Sequence, residues 1–103
     1  MGLLGTINLG GDKSISHRAV MIASLINDIS KIKNLSKCYD VVSTVNCLKK
    51  CNVVIKYHDG ETIIKGGKLK QPNVDLNVEN SGTSARMLLG LFCGQKIKAR
   101  ITG

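Results

Sequence analysis

The sequence predicts an α/β chain with a repeated strand-loop-helix-strand unit, and three observations carry that reading. A strand-loop-helix-strand device occurs twice, with matching residues at one constant offset. Between and around the two copies, the apolar patterning follows the order β-α-β-α-β-β. The first helix is apolar on more than one side, so it needs cover nearly all round.

The elements follow in order. Residues 5–9 (Gly-Thr-Ile-Asn-Leu) form a β-like run leading into Gly10-Gly11. Ile15, Ala19, Ile22, Ala23 and Ile26 then recur at i, i+4, i+7, i+8 and i+11, which predicts a helix over about 16–27. Val20, Met21 and Leu25 give it a second apolar side. Residues 30–35 read as a strand and 36–39 as a connection. Asp40 is placed to cap a second helix, whose stripe is Val41, Val45 and Leu48 and whose last turn holds Lys49-Lys50. Residues 52–57 and 61–65 flank His58-Asp59-Gly60, an Asp-Gly hairpin turn. Residues 66–72, polar and containing the one proline, separate the repeats. A strand over 74–78, a helix over 81–94 with Gly94 as C-cap, and a strand over 95–102 complete the pattern.

The chemistry concentrates at the two helix starts. Gly10-Gly11 at a strand-to-helix junction frees the backbone to bring N–H groups close to a ligand. Asp12 or Ser14 is suited to the N-cap. Lys13 and Ser14 sit at the positive end of the helix dipole, with Arg18 one turn in. Backbone donors, an ammonium, a hydroxyl and a guanidinium together suit a phosphate or carboxylate. Alone, the stretch reads equally as a capped helix with solvated cations. The second copy, Asn80-Ser81-Gly82-Thr83-Ser84-Ala85-Arg86, opens another apolar helix after an alternating run. Ser14-x-Ser16-x-Arg18 and Gly82-x-Ser84-x-Arg86 share one phase. The phase predicts two roughly parallel helices whose starts open toward the same side.

Residues 11–19 (Gly-Asp-Lys-Ser-Ile-Ser-His-Arg-Ala) and 80–86 (Asn-Ser-Gly-Thr-Ser-Ala-Arg) resemble the two N-terminal signatures of the 5-enolpyruvylshikimate-3-phosphate synthase family. The likeness runs from about Gly5 to the end. The related UDP-N-acetylglucosamine enolpyruvyl transferases share the architecture, but typically carry Lys-Asn where this chain has Lys13-Ser14.

The resemblance implies an inside-out barrel, with helices inside and sheets outside. It also implies members several times longer, so that this chain is an N-terminal fragment, inactive alone. Residues 1–11 would then be a leading strand and hinge belonging to a second domain, 12–67 the first βαβαββ unit, and 68–103 the start of a second. The implied activity moves the enolpyruvyl group of phosphoenolpyruvate to the 5-hydroxyl of shikimate 3-phosphate, in aromatic amino acid biosynthesis. It needs no metal or cofactor, and the implied enzyme is cytoplasmic and monomeric when complete. Lys13 would be catalytic and touch both substrates. Ser14 and Arg18 would bind shikimate 3-phosphate. Asn80, Gly82, Thr83 and Arg86 would bind phosphoenolpyruvate, with Gly82 where a side chain would intrude on it or on glyphosate. Three positions depart from the family pattern: Gly10 replaces a frequent proline, Glu79 a frequent glycine, and residues 36–40 match an acidic segment only at Asp40.

Composition limits the rivals. Net charge is +8, which raises nucleic-acid binding. The basic residues are scattered singly, however, and aromatics at 3% leave little for stacking on bases. Most lysines therefore read as a solvated face. A small anion- or nucleotide-binding module is the other alternative, but Asp12 breaks the Gly-Lys step of a phosphate loop. The four cysteines, Cys38, Cys47, Cys51 and Cys93, have no C-x2-C spacing or ligand histidine and read as small buried thiols. His17 and His58 are not counted among the site residues. No hydrophobic run reaches membrane-spanning length.

Overall fold

A computed structural model describes residues 6–8, 13–79 and 81–103. The α/β class follows the expectation. A four-stranded sheet has the order β1-β2-β4-β3, built from β1 (Thr6–Asn8), β2 (Ile29–Lys33), β3 (Val54–His58) and β4 (Glu61–Lys65). Helices α1 (Lys13–Leu25) and α2 (Tyr39–Lys49) are the crossovers from β1 to β2 and from β2 to β3. Strand β1 runs parallel to β2, and β4 pairs antiparallel with both β2 and β3. Helix α3 (Gly82–Gln95) links β5 (Leu76–Asn77) to β6 (Ile101–Thr102), a separate parallel pair.

Strand alternation decides what each sheet face meets. Ser30, Ile32, Ile55, Thr62 and Ile64 point inward and are buried. The three isoleucines join Val20, Ala23, Val41, Val45, Leu48, Leu76, Leu88 and Phe92 in one core. Lys31, Lys33, Lys56 and Lys65 are exposed on the opposite alternation, the solvated face expected of them. The Asp59-Gly60 turn takes φ of 49° and 76°, the double positive φ of a two-residue hairpin that Asp-Gly favours.

Strand β1 pairs with β2 in register Thr6↔Lys31 to Asn8↔Lys33. Several expectations about individual elements are corrected. Asp40 does not cap α2: Cys38 holds the N-cap position without a side-chain bond, and Asp40 lies in the first turn. Helix α3 ends at Lys96 rather than Gly94, with Lys96 at φ 55°. There Ile97 donates its N–H to Phe92 O at 3.0 Å and packs against the core. An apolar residue just past a left-handed cap fixes the helix end more firmly than a glycine two positions earlier. The strands expected over 74–78 and 95–102 shorten to two residues each, held by Leu76 N–H to Arg100 O and Val78 N–H to Thr102 O. Among the cysteines, Cys47 and Cys51 are buried, and burial raises the Cys51 thiol to about 11. Cys93 is exposed, against expectation.

Candidate functional site

The starts of α1, α2 and α3 meet at one end of the helical layer, as the shared motif phase predicts. Hydroxyl groups make the junction. His17 on α1 is fully buried, with Nδ1 3.1 Å from Thr44 Oγ1 on α2. Thr44 Oγ1 lies 2.6 Å from Ser84 Oγ on α3, and Ser84 Oγ donates to the Asp40 carbonyl at 2.8 Å. Ser81 caps α3, its Oγ accepting from Ser84 N–H at 3.1 Å, and donates to the Asp40 carboxylate at 2.5 Å. Each hydroxyl has one proton to give. All are used if His17 donates from Nδ1 to Thr44, Thr44 to Ser84, and Ser84 to the Asp40 carbonyl. Nε2 of His17, which has no partner among the described residues, is then a bare lone pair rather than a stranded donor.

Lys13 is the first residue of α1, and its half-exposed ammonium pairs with the Asp40 carboxylate. That hydrogen bond raises the Lys13 pKa against a smaller opposing desolvation. The Asp40 pKa is lowered by the bond from Lys13 and then by the bond from Ser81. Asp40 also stands where positive helix ends gather, a favourable place for a carboxylate. Burial lowers the His17 pKa, the nearby Asp40 charge opposes it, and the Lys13 charge reinforces it.

The repeat is visible in how two equivalent serines work. Ser16 Oγ accepts the N–H of Ser36 at 2.9 Å, while Ser84 Oγ reaches the Asp40 carbonyl. The two copies therefore grip the connection into α2 from both sides. The arginines behave differently from these serines. Arg18 and Arg86 are exposed, and among the described residues neither has an ion-pair or hydrogen-bond partner. Arg100, the third arginine, lies 3.8 Å from the Asp75 carboxylate. The Arg86 guanidinium lies over Gly82: a Cβ there would sit 3.4 Å from Nη1.

Of the predicted site residues, Lys13, Arg18, Gly82, Thr83 and Arg86 lie in the first turns of α1 and α3 or one turn in. Asn80 falls outside the described residues, as do Gly10, Gly11, Asp12 and the side chain of Ser14. Asp40 is the residue the sequence reading missed as a site component. A signal existed: it is the sole acid between Asp28 and Asp59 in a strongly basic chain. Thr44 gave no signal, since a threonine inside a helix is ordinary. An open groove between α2 and the β3–β4 turn, lined in part by Leu35, Val45 and Tyr57, holds none of the predicted site residues. Among the described residues no acidic, histidine or cysteine cluster is suited to a metal, and no helix is long and apolar enough to cross a membrane.

Known proteins resemble this chain along nearly its whole length. Residues 2–103 match the family described as EPSP synthase (3-phosphoshikimate 1-carboxyvinyltransferase). A 3-phosphoshikimate 1-carboxyvinyltransferase of Oenococcus oeni is 45% identical over 105 residues, covering 99% of this chain and 24% of that protein. One from a Thermoanaerobacter species is 43% identical over 98% of this chain and 24% of its own length. An EPSP synthase structure from Acinetobacter baumannii superimposes with a TM-score of 0.82 at 33% identity, covering 96% of this chain and 23% of that one. The chain thus spans about a quarter of the length of the curated relatives it matches.

Proposed function

The chain belongs to the EPSP synthase (3-phosphoshikimate 1-carboxyvinyltransferase) family, and from that premise we propose that it contributes one wall of the site for enolpyruvyl transfer. The substrates are phosphoenolpyruvate and shikimate 3-phosphate. The products are 5-enolpyruvylshikimate 3-phosphate and phosphate. The observation that carries the reading is the meeting of two cation-bearing helix starts at one end of the fold, with Arg18 and Arg86 exposed and without an ion-pair partner among the described residues.

The 5-hydroxyl gives up its proton to a base as its oxygen bonds C2 of phosphoenolpyruvate, while C3 takes a proton and becomes a methyl group. Loss of a methyl proton then restores the double bond and expels phosphate from C2. Both stages gather negative charge, and preorganised cations and N–H dipoles stabilise it best when they need not reorganise. Lys13 stands between hydroxyl and phosphoenolpyruvate and shields the developing oxyanion. Ser14 and Arg18 take the carboxylate of shikimate 3-phosphate, the planar guanidinium matching it two bonds at a time. Asn80, Gly82 and Thr83 line phosphoenolpyruvate at the start of α3, where helix N–H groups favour an anion. Arg86 backs that wall. Gly82 leaves the approach clear, since a methyl group there would come into contact with the Arg86 guanidinium.

Titration with shikimate 3-phosphate and with ATP, each at two salt concentrations, tests the reading. Shikimate 3-phosphate should bind in preference to ATP, and Lys13→Ala should weaken its binding at least tenfold. In a full-length family enzyme the equivalent change should lower turnover on the order of a hundredfold, the scale of losing an oxyanion donor. Equal binding of both ligands, abolished by salt, would reduce the site to a nonspecific basic surface.

A further inference from the structure

We propose that Asp40 is a positioning residue: its carboxylate holds the Lys13 ammonium in place and ties it to the start of α3. The inference rests on the reading of Lys13 as a cation that meets substrate.

The geometry is a bridge across three elements. One carboxylate oxygen pairs with Lys13 on α1 and the other accepts from Ser81, the cap of α3. The backbone carbonyl of the same residue accepts from Ser84, one turn into α3. Asp40 itself sits in the first turn of α2, and that helix is anchored to both neighbours through Thr44. A displacement of α3 is thereby transmitted to Lys13 through a single side chain. Lys13 alone would not hold its place, because a lysine stem has four rotatable bonds and its head is strongly hydrated. Other groups around the carboxylate do not compete for the role. They are His17 from α1, Cys38 and Tyr39 beside it, and the hydroxyls of Ser81 and Ser84 from α3. His17 is committed to Thr44, and the Glu79 carboxylate lies beside Tyr39. No second acid among the described residues pairs with Lys13.

The bridge separates charge from shape. Asn at position 40 keeps the volume and the oxygen that Ser81 needs, but loses the charge that Lys13 needs. A purely structural Asp40 is therefore replaceable by Asn, whereas a positioning Asp40 is not.

The test labels the lysines of the 103-residue chain with ¹³C-methyl groups, which keep their charge. The Lys13 signal is assigned by its loss in Lys13→Arg. In the wild type, the Lys13 titration midpoint should lie above the ordinary lysine value. In Asp40→Asn it should fall, with the amide spectrum otherwise folded. An unchanged midpoint in a folded Asp40→Asn overturns the proposal. Should that variant not fold, the wild type decides alone. On acidification, the Lys13 methyl and Ser84 amide signals should move with one common midpoint as Asp40 protonates. Separate midpoints overturn the bridge. Addition of shikimate 3-phosphate separates this inference from the one beneath it. A Lys13 signal that responds to Asp40→Asn but not to the ligand leaves Asp40 in its role and removes the substrate site.

Discussion

The two ends of the helical layer are held by different means. At the end where α1, α2 and α3 begin, side chains hold the fold: Ser16, His17, Asp40, Thr44, Ser81 and Ser84 exchange hydrogen bonds. At the end where α1 finishes, backbone meets backbone. Gly67 donates its N–H to the Ser24 carbonyl at 3.0 Å, and the Gly66 backbone lies directly against the Ala23 and Ser24 carbonyls. The first end is specified by chemical identity and the second by shape. A site that must bind anions belongs at the first, where N–H dipoles gather and side chains can be retuned one at a time.

If shape governs the closed end, its most severe perturbation is the smallest addition of volume. A Cβ on Gly66 would overlap the carbonyl oxygens of Ala23 and Ser24, which belong to a helix and cannot swing aside. Gly66→Ala should therefore lower stability by about 3 kcal/mol, the upper range for overpacking, as read by urea unfolding. A loss within a few tenths of wild type would show that this end yields as easily as a surface loop.

The complementary perturbation at the polar end keeps shape and removes chemistry. Thr44→Val is close to isosteric, yet it deletes the hydroxyl between His17 and Ser84. His17 Nδ1 then loses its partner inside the fold, at a cost of about 2 kcal/mol. A neutral result would mean that apolar packing, not hydroxyl exchange, holds the three helix starts together.

What was legible in the sequence follows the same division. The meeting of the helix starts could be read, because serines and arginines at one shared phase set α1 and α3 in equivalent places. The hairpin could be read from Asp59-Gly60, since few other pairs tolerate two positive φ values. Gly66 could not be told from any glycine in a polar connection, because close approach to α1 depends on where the chain returns. Asp40 was read locally, as a helix cap. Its partners Lys13 and Ser81 are far along the chain, and no periodicity links them. The end of α3 was misplaced for a related reason, since packing of Ile97 on the core overrode the glycine signal at Gly94.

Acid should act on the polar end first. The His17 pKa is lowered in the fold, so the unfolded chain binds a proton more readily. The stability that neutral His17 confers is present above its unfolded value near 6.5 and is lost as pH falls below it. The lowered carboxylate of Asp40 adds a second loss of the same sign, in a separate window below about 4. Urea midpoints measured between pH 8 and 5 should decline, and His17→Gln should flatten that decline while leaving the lower window intact. A slope that survives in His17→Gln would place the titrating group elsewhere.

The smallest effect is also the one whose sign is most telling. Glu79 enters the start of α3 with φ 53°, a left-handed conformation that a residue with a Cβ adopts at a cost and glycine adopts freely. Its N–H is held by the Asn77 side chain at 2.7 Å, so the conformation does not depend on the glutamate side chain. The carboxylate is exposed and contributes only its place beside the Tyr39 hydroxyl. Removing the strain should outweigh that contact. Glu79→Gly is therefore expected to raise stability by roughly 0.5 kcal/mol. It also removes a negative charge beside the proposed phosphoenolpyruvate wall, so phosphoenolpyruvate affinity should rise as well. The two readouts separate the causes. Higher stability without tighter binding would confine the effect of Glu79 to the backbone, and tighter binding without higher stability would assign it to charge alone. A fall in both would mean that the glutamate side chain, like the serines around it, is part of what holds the polar end together.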